Sequence, residues 1–337
     1  MLKAAILGER KAGLVEVPDP KPKDHWVVVK VHAAPMCTEY KGFVKGDKNQ
    51  CLGHEAAGEV VAVAHSSRAK VGDRVVVMPS YACGTCALCI SGEYIHCQNW
   101  QSVQAFTGQP EGEATMAQYL LKPDWLLPKI PENVSYEMAA LACCALGPSY
   151  GAFRKMNVRA TDNVLVTGIG PVGLGAIANA RYLGARVIAA EFAPERVKRA
   201  EEFGATAVDP RDPKAAQKIR DLTNGIGVDC ALDCAGNPAA ERLCIDATRR
   251  RGHVTFIGEC VDELKVSVSP DLIRKGLTVS GSWHYNLNWF PEIMQVVQHS
   301  PLAAKLITNR IPMSKIQDAF ETSSLQSGGK IILQPWA

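Results

Sequence analysis

The sequence predicts an α/β protein of two domains, in which a β-rich domain is followed by a domain built on a doubly wound parallel sheet. Three observations support this fold class. The length of 337 residues suggests two domains on one chain. Near Asp162 the pattern changes from short strands separated by turns to strands that alternate with amphipathic helices. A glycine motif follows the first strand of this second region and opens a helix.

The β-rich region covers roughly the first 125 residues. Apolar or alternating stretches run over 26–32, 58–63 and 74–78, and glycine, proline and polar residues separate them. This pattern predicts short strands joined by turns.

Strands and helices alternate after Asp162. Short apolar runs predict the strands, longer apolar or amphipathic segments predict the helices, and Pro194 suits the first position of its helix. The predicted strands are 164–166, 186–190, 228–232, 253–257 and 277–280, the predicted helices are 172–183 and 194–203, and a closing strand is predicted at 330–333. Such alternation favours a parallel sheet with helices on its faces.

The glycine motif runs Val166-Thr-Gly168-Ile-Gly170-Pro-Val-Gly173. Gly168 permits a tight turn, Gly170 lets a pyrophosphate approach the backbone, and Gly173 lets the helix pack close to the strand. Pro171 and Val172 open the helix, whose N-terminus attracts an anion. A turn that serves packing alone is the alternative, but the strand–turn–helix context favours a dinucleotide site.

Glu191 ends the next strand, 23 residues after Gly168. A carboxylate at this place accepts hydrogen bonds from the adenosine ribose and repels a 2′-phosphate, which favours NAD over NADP. Phe192 follows instead of an arginine that could bind the phosphate. Arg196, one helical turn further on, is the residue that could support NADP instead.

Four of the twelve cysteines lie within fifteen positions, at Cys83, Cys86, Cys89 and Cys97. Successive C-x-x-C steps wrap thiolates around one tetrahedral ion, and a fourth thiol closes the site, so this cluster predicts a structural zinc. The alternatives are four unrelated core cysteines, or disulfides, which need an oxidising compartment.

Composition restricts the function classes. The residues are 47% hydrophobic and 21% charged, and the formal net charge is +3. This balance predicts a globular core and gives no support for a nucleic-acid or anionic-membrane partner. We find neither a signal peptide nor an apolar run of about 18 residues, so a cytoplasmic protein is expected.

Further motifs resemble the zinc-dependent medium-chain alcohol dehydrogenase family. Gly53-His54-Glu55-Ala-Ala-Gly58 resembles its signature, and Ala64, Ser67 and the segment 71–75 fit the same order. The resemblance covers essentially the whole chain and looks closest to the sorbitol and polyol dehydrogenase branch. It implies a GroES-like catalytic domain over 1–148, completed by 287–337, and a Rossmann NAD-binding domain over 149–286.

The resemblance also implies a catalytic zinc held by Cys37, His54 and Cys144, with one open position. Cys144 is preferred over Cys143 because it lies six residues before Tyr150, as the family ligand precedes its aromatic residue. Glu55 is expected as a transient ligand or supporting partner. Taken singly, each of the three ligands is as readily a buried packing residue.

The motif after Cys37 departs from the family pattern, in which any residue, then Ser or Thr, then Asp follow. Here Thr38, Glu39 and Tyr40 follow, so Glu39 stands at the proton-relay position and Tyr40 at the Asp position. One hypothesis is that Glu39 accepts the substrate proton, assisted by Tyr40 or Thr38. The other is that Glu39 only orients the metal site.

Other positions complete the predicted cleft. Ile257, Gly258 and Lys330 are assigned to the cofactor site, and Trp283, His284 and Tyr285 are expected to shape the substrate pocket or to form hinge or subunit contacts. The remaining cysteines are expected to be packing residues, with Cys51 near the cleft: Cys51, Cys143, Cys230, Cys234, Cys244 and Cys260.

The function implied is oxidation of a secondary alcohol (a polyol, sugar or cyclitol) by hydride transfer to NAD, in a homodimer or homotetramer that uses two zinc ions. A biosynthetic aldehyde, ketone or imine reductase of the same fold is the alternative enzyme. A non-catalytic binding protein that keeps the fold is a further alternative, which the retained ligands disfavour.

Overall fold

A computed structural model describes residues 1–337. The strands are β1 (Leu2–Gly8), β2 (Lys11–Glu16), β3 (Trp26–Pro35), β4 (Ala56–Ala62), β5 (Arg74–Val77), β6 (Tyr119–Pro123), β7 (Asn163–Thr167), β8 (Arg186–Ala190), β9 (Thr206–Val208), β10 (Val228–Asp233), β11 (Thr248–Phe256), β12 (Thr278–Gly281), β13 (Ile307–Pro312) and β14 (Lys330–Gln334). The α-helices are α1 (Tyr40–Lys45), α2 (Ala87–Ile90), α3 (Val103–Thr107), α4 (Tyr136–Ala140), α5 (Gly147–Met156), α6 (Pro171–Tyr182), α7 (Pro194–Glu202), α8 (Ala215–Asp221), α9 (Pro238–Ala247), α10 (Phe290–His299) and α11 (Ile316–Ser324).

The first sheet joins the N-terminal region to the C-terminal tail. Its strand order is β13-β14-β3-β4-β5, β6 also pairs with β3, and β1 pairs with β2 in a separate hairpin. Side chains of β3 alternate between two cores: Val27 and Val29 join one that contains Phe43, whereas Trp26 and Val28 join another. This period of two buries both faces of the strand, because successive residues point to opposite sides.

The second sheet is parallel throughout and has the strand order β12-β11-β10-β7-β8-β9. After β7 the chain adds β8 and β9 on one side, then β10 to β12 on the other. Ligands of such sheets bind beyond the carboxyl ends of the strands at this switch point, which here follows Thr167. The predicted fold class is therefore confirmed, with a GroES-like and a Rossmann part.

Several boundaries differ from the predictions. The predicted strand 253–257 begins earlier, at Thr248, directly after α9. Helix α9 was not predicted, although Asn237 caps it by accepting the N–H of Ala240 and Pro238 stands in its first turn. The short strand β9, of three residues, was also missed because it carries little periodicity.

Side chains of both sheets and of α5 and α6 belong to one hydrophobic core. Gly175 of α6 packs so closely that a Cβ there would lie 1.6 Å from the carbonyl oxygen of Ala145. This contact packs the segment just before α5, which includes Cys144, against helix α6. The boundaries at 148 and 287 remain our prediction. The longest helix has 12 residues, and no helix combines the length and apolar character that crossing a membrane requires.

Candidate active site

The glycine loop after β7 has an open face. Gly168 adopts φ +74°, and a Cβ there would lie 2.6 Å from the Cα of Ala235. A Cβ on Gly173 would lie 2.1 Å from the carbonyl oxygen of Gly168, whereas one on Gly170 would meet nothing within 4 Å. The loop is therefore closed on two sides and open beside Gly170, at the N-terminus of α6, where an anionic group can approach backbone N–H groups.

Glu191 is buried beneath this loop. Its Oε2 accepts the N–H of Ile169 at 3.0 Å, and its Oε1 accepts the N–H groups of Phe192 and Ala193. A carboxylate has about four acceptor positions, so one position remains for a ribose hydroxyl. The predicted ribose ligand thus also holds the glycine loop in shape.

Arg196 of α7 binds the segment that follows α11. Its Nε donates to the carbonyl oxygen of Gln326 at 2.8 Å and its Nη2 to the side chain of Gln326, while Nη1 lies 3.6 Å from Glu191. This guanidinium is already bound by the tail of the other domain. Phe192 is half exposed, and the guanidinium of Arg211 lies over its ring, 4.7 Å from the ring centre. Arg211 was not identified from the sequence, where it looks like any surface charge.

Two further predicted cofactor residues follow β11. The N–H groups of Ile257 and Gly258 both donate to the carbonyl oxygen of Asp233. A Cβ on Gly258 would lie 2.3 Å from the nitrogen of Gly236, so the turns after β10 and β11 touch. This places both residues at the carboxyl edge, near the glycine loop.

The four-cysteine cluster forms one loop. The Sγ atoms of Cys83, Cys86, Cys89 and Cys97 lie within 4.8 Å of one another. Backbone N–H groups of Thr85 and Cys86 donate to the Cys83 sulfur. Burial raises the pKa of Cys83, but these hydrogen bonds outweigh it and lower the pKa to about 6. Four sulfur donors at this spacing fit a closed tetrahedral zinc site.

A second group assembles from distant segments. Ligand atoms of Cys37, His54, Glu55 and Cys144 all lie within 4.8 Å of one another, and His54 Nε2 is 3.2 Å from Cys144 Sγ. Cys143 is not in this group, because its thiol points to the carbonyl oxygen of Val77. Two sulfurs, an imidazole nitrogen and a nearby carboxylate are a donor set that zinc accepts in catalytic sites.

Glu39 contacts the His54 ring of this group at Nδ1, the nitrogen that does not face Cys144. Its Oε1 lies 3.0 Å from His54 Nδ1, and its Oε2 accepts the N–H of Cys37 at 2.8 Å. A carboxylate on the far nitrogen of a metal-binding histidine fixes the ring and its tautomer. Both oxygens are engaged, so acceptance of a substrate proton would require Glu39 to release His54. The geometry favours the orienting hypothesis.

Glu55 and Lys330 form a fully buried ion pair. Lys330 Nζ also donates to the carbonyl oxygen of Met36, and Glu55 Oε2 accepts the N–H of Cys144 at 3.2 Å. Burial raises the pKa of Glu55 to about 7, although the Lys330 charge opposes this. Lys330 was expected in the cofactor site, but the structure encloses its side chain in the metal group, where it neutralises Glu55.

Thr38 is exposed, and Tyr40 is half-buried at the start of α1. Beside Glu39 and His54 a cavity of about 290 Å³ opens, with polar groups from Asp47, Asn49 and Cys51. Asp47 and Asn49 were missed by the sequence analysis, because no motif marks them.

The other predicted packing cysteines divide by position. Cys143, Cys230 and Cys244 are buried as expected, and Cys234 and Cys260 are partly buried. Cys51 is exposed and lines the cavity, so its prediction as a packing residue is wrong and its expected place near the cleft is correct.

The segment after β12 divides three ways. Trp283 is half exposed and packs beside His96 and Trp100 rather than toward the metal group. Tyr285 is buried, and its hydroxyl contacts the sulfur of Met78. His284, which stands between these two residues in the sequence, is buried.

Comparison with known proteins agrees with this architecture. Residues 23–132 match the family described as alcohol dehydrogenase GroES-like domain, and residues 171–299 match the zinc-binding dehydrogenase family. The two matches cover β3 to β6 of the first sheet, β8 to β12 of the Rossmann sheet, and both metal groups except for Cys144. Gly168 and Gly170 of the glycine loop lie just before the second match.

Relatives match along the whole length. Sorbitol dehydrogenase of Bacillus subtilis is 32% identical over 95% of this chain and 93% of its own. The (R,R)-butanediol dehydrogenase of Bacillus subtilis is 32% identical over 99% of this chain and 100% of its own. Alcohol dehydrogenase TADH from Thermus sp. ATN1 superposes with a TM-score of 0.89 at 26% identity, over 99% of both chains. The chain therefore belongs to the zinc-type medium-chain alcohol dehydrogenase family, near its polyol dehydrogenases.

Proposed function

We propose that the protein is a zinc-dependent, NAD-linked dehydrogenase that oxidises a secondary alcohol (a polyol, sugar or cyclitol) to a ketone. The observation that carries this proposal is the convergence of Cys37, His54 and Cys144 on one point, although they are far apart in sequence. Family membership supports alcohol oxidation, and the sorbitol and butanediol dehydrogenases among the relatives support a polyhydroxylated substrate.

Each residue of the group has a defined task in this proposal. Cys37, His54 and Cys144 hold the metal, and Glu39 fixes the His54 ring. Glu55 and Lys330 form a buried ion pair next to these ligands. When bound, zinc acidifies a hydroxyl group and polarises a carbonyl, and NAD accepts a hydride. The glycine loop orients the dinucleotide, and the close contact between Gly175 of α6 and Ala145 holds the segment that carries Cys144 beside the nucleotide-binding region.

The cofactor preference rests on the contacts around Glu191. A 2′-phosphate would meet the Glu191 carboxylate, and Arg196 could neutralise that charge only by giving up its hydrogen bonds to Gln326. We therefore propose NAD as the cofactor. Steady-state kinetics with both nucleotides test this choice, and a preference for NADP would remove the argument from Glu191.

A panel of polyols, sugars, cyclitols and simple alcohols, assayed with NAD on protein of known zinc content, tests the function. We expect NADH formation to be fastest with a polyhydroxylated secondary alcohol. Aldehydes and ketones assayed with NADH form the control panel. If only these carbonyl compounds react, the protein is a reductase, and if neither zinc nor NAD binds, the proposed function fails.

A homodimer or homotetramer remains our proposal. The outer edge of β12 is unpaired in the sheet, and Val279 on it is 38% exposed. Unpaired strand edges are templates for pairing with another chain. Light scattering on the purified protein measures the assembly. The cytoplasmic location likewise stays a prediction, which cell fractionation tests.

A further inference from the structure

Arg196 is held by a loop that comes from the other sheet. Residues 325–329 join α11 to β14, a strand of the first sheet, whereas α7 with Arg196 follows β8 of the Rossmann sheet. Gln326 in this loop accepts two hydrogen bonds from the guanidinium. Its carbonyl oxygen accepts from Nε at 2.8 Å, and its side-chain Oε1 accepts from Nη2 at 3.1 Å. One residue of the C-terminal tail therefore binds two of the three guanidinium nitrogens.

The backbone of residues 325–329 supports this contact. Gln326 has a φ of +51°, in the left-handed region that few residues other than glycine adopt, and such a conformation persists where the surrounding structure enforces it. A Cβ on Gly328 would lie 3.2 Å from Cγ of Arg196 and 3.4 Å from the carbonyl oxygen of Ile169. The loop therefore packs on the stem of Arg196 and on the glycine loop, and so sets the position of the guanidinium.

The same guanidinium lies beside the predicted ribose ligand. Nη1 of Arg196 is 3.6 Å from Oε2 of the buried Glu191. In a dinucleotide site of this kind, the 2′ position of the adenosine ribose faces the residue at the end of the second strand, which here is Glu191. A guanidinium binds a phosphate best through two parallel N–H donors. Because Gln326 occupies Nη2, Arg196 does not present the pair Nη1 and Nη2 to a 2′-phosphate.

A second guanidinium near this point is occupied as well. Arg211, which lies over the ring of Phe192, donates to the carboxylate of Asp209 through Nε at 3.0 Å and through Nη2 at 2.7 Å. Both arginines beside the predicted ribose site are therefore engaged by other residues of the chain.

We propose that Gln326 determines the cofactor preference: by holding Nη2 of Arg196, it keeps this arginine from binding a 2′-phosphate and so disfavours NADP. This inference rests on the proposed use of NAD. Affinity falls with the fraction of protein in which the binding group is available, so an occupied Arg196 weakens NADP binding although Gln326 itself does not touch the nucleotide. Gln326 is thus a positioning residue that acts through Arg196, and its effect adds to the repulsion by Glu191.

The test is Gln326→Ala. This change frees Nη2 but keeps the backbone carbonyl that binds Nε, so that Nη1 and Nη2 can turn together toward a phosphate. We expect the ratio of kcat/KM for NADP to kcat/KM for NAD to rise by about 10-fold or more, the factor that a hydrogen bond to a charged group contributes. The change should lie in KM for NADP rather than in kcat, because the 2′-phosphate is remote from the transferred hydride and binds equally in the ground state and the transition state.

A binding measurement gives the same comparison without turnover. Calorimetry with ADP-ribose and with 2′-phospho-ADP-ribose should show that Gln326→Ala gains affinity for the phosphorylated compound relative to the other.

Three further variants serve as controls. In Gln326→Ala/Arg196→Ala the gain should disappear, which assigns it to Arg196 rather than to Arg211. Gln326→Glu keeps an acceptor for Nη2 and adds a negative charge, so it should keep or strengthen the preference for NAD. Ser327→Ala changes the next residue of the same loop, which is also exposed, and should leave the ratio as in the wild type.

Three outcomes would overturn the inference while the wild type still prefers NAD. The first is an unchanged ratio in Gln326→Ala, and the second is a gain that survives the removal of Arg196. The third is an equal rise of KM for both nucleotides with a lower melting temperature, which would make the contact purely structural. A wild type that prefers NADP contradicts the proposed cofactor, and one that binds neither nucleotide contradicts the proposed function; the inference fails with either.

Discussion

The two groups of candidate metal ligands are assembled in opposite ways. Cys83, Cys86, Cys89 and Cys97 come from one short loop, and hydrogen bonds within that loop hold their sulfurs. Cys37, His54 and Cys144 come from segments before α1, before β4 and before α5, and they come together only through tertiary packing. A local site can form whenever its loop closes, whereas the distant site exists only in the folded protein.

The two groups also differ in their supporting contacts. The loop cluster relies on donors from its own loop, namely the backbone N–H groups of Thr85 and Cys86 and the Thr85 hydroxyl, which all donate to the Cys83 sulfur. The distant group relies on charged side chains, namely Glu39 behind His54 and Lys330 behind Glu55. The difference teaches that ligands from one loop are held by contacts within that loop, while ligands from distant segments need charged side chains that keep them in place.

The largest effect is expected for removal of one ligand from each group. Cys144→Ser should lower kcat by about 10³-fold or more, because the Lewis-acid contribution of several kcal/mol is lost. It should keep one zinc per chain and the wild-type circular dichroism. Turnover and metal analysis measure both quantities.

Cys83→Ser is the matched control for the loop cluster. It should also lose one zinc, but it should lower the melting temperature, with kcat retained at a temperature where the protein stays folded. The proposed difference between the two groups is contradicted if Cys144→Ser keeps full turnover, or if Cys83→Ser loses its zinc without any loss of stability.

The next effect concerns the buried ion pair. Lys330→Met leaves Glu55 uncompensated and should reduce the free energy of unfolding by about 3–5 kcal/mol. The double variant Glu55→Gln/Lys330→Met should recover most of this loss, because no charge is then left buried. Urea denaturation of the zinc-loaded protein measures the free energies. A single variant as stable as the wild type would show that the pair is solvated.

The smallest effect is expected at Glu39. Glu39→Gln should weaken zinc binding at the distant group by about 10- to 100-fold, because His54 loses its carboxylate partner. The zinc of the loop cluster is the internal control. Its affinity, measured by chelator titration, should be the same in Glu39→Gln and in the wild type. The pH profile of kcat should keep its shape when zinc is saturating. A profile that loses its acidic limb would instead support the proton-accepting role of Glu39.

Much of the architecture could be predicted from the sequence. The strands at 164–166 and 186–190 and the helix at 194–203 agree with β7, β8 and α7 within one or two residues, because their patterns are strong. The glycine motif predicted the tight turn after β7, since Gly168 and Gly173 each have a local steric reason, while Gly170 leaves the loop open. Weakly periodic elements such as β9 were missed.

Within the site, the sequence pattern alone could predict only those ligands that lie close together along the chain. The four loop cysteines lie within fifteen positions, and a short loop can bring such neighbours together in few ways. The ligands Cys37, His54 and Cys144 were named only through the family resemblance, because no spacing rule connects residues so far apart.

The sequence by itself determined the two-domain α/β class, the dinucleotide loop and the cysteine cluster, because each depends on residues that are close neighbours along the chain. Only the tertiary structure decided that Glu39 contacts Nδ1 of His54 and that Lys330 forms a buried ion pair with Glu55. The physical reason is that these contacts join segments up to 275 positions apart, whose meeting depends on the packing of the whole chain.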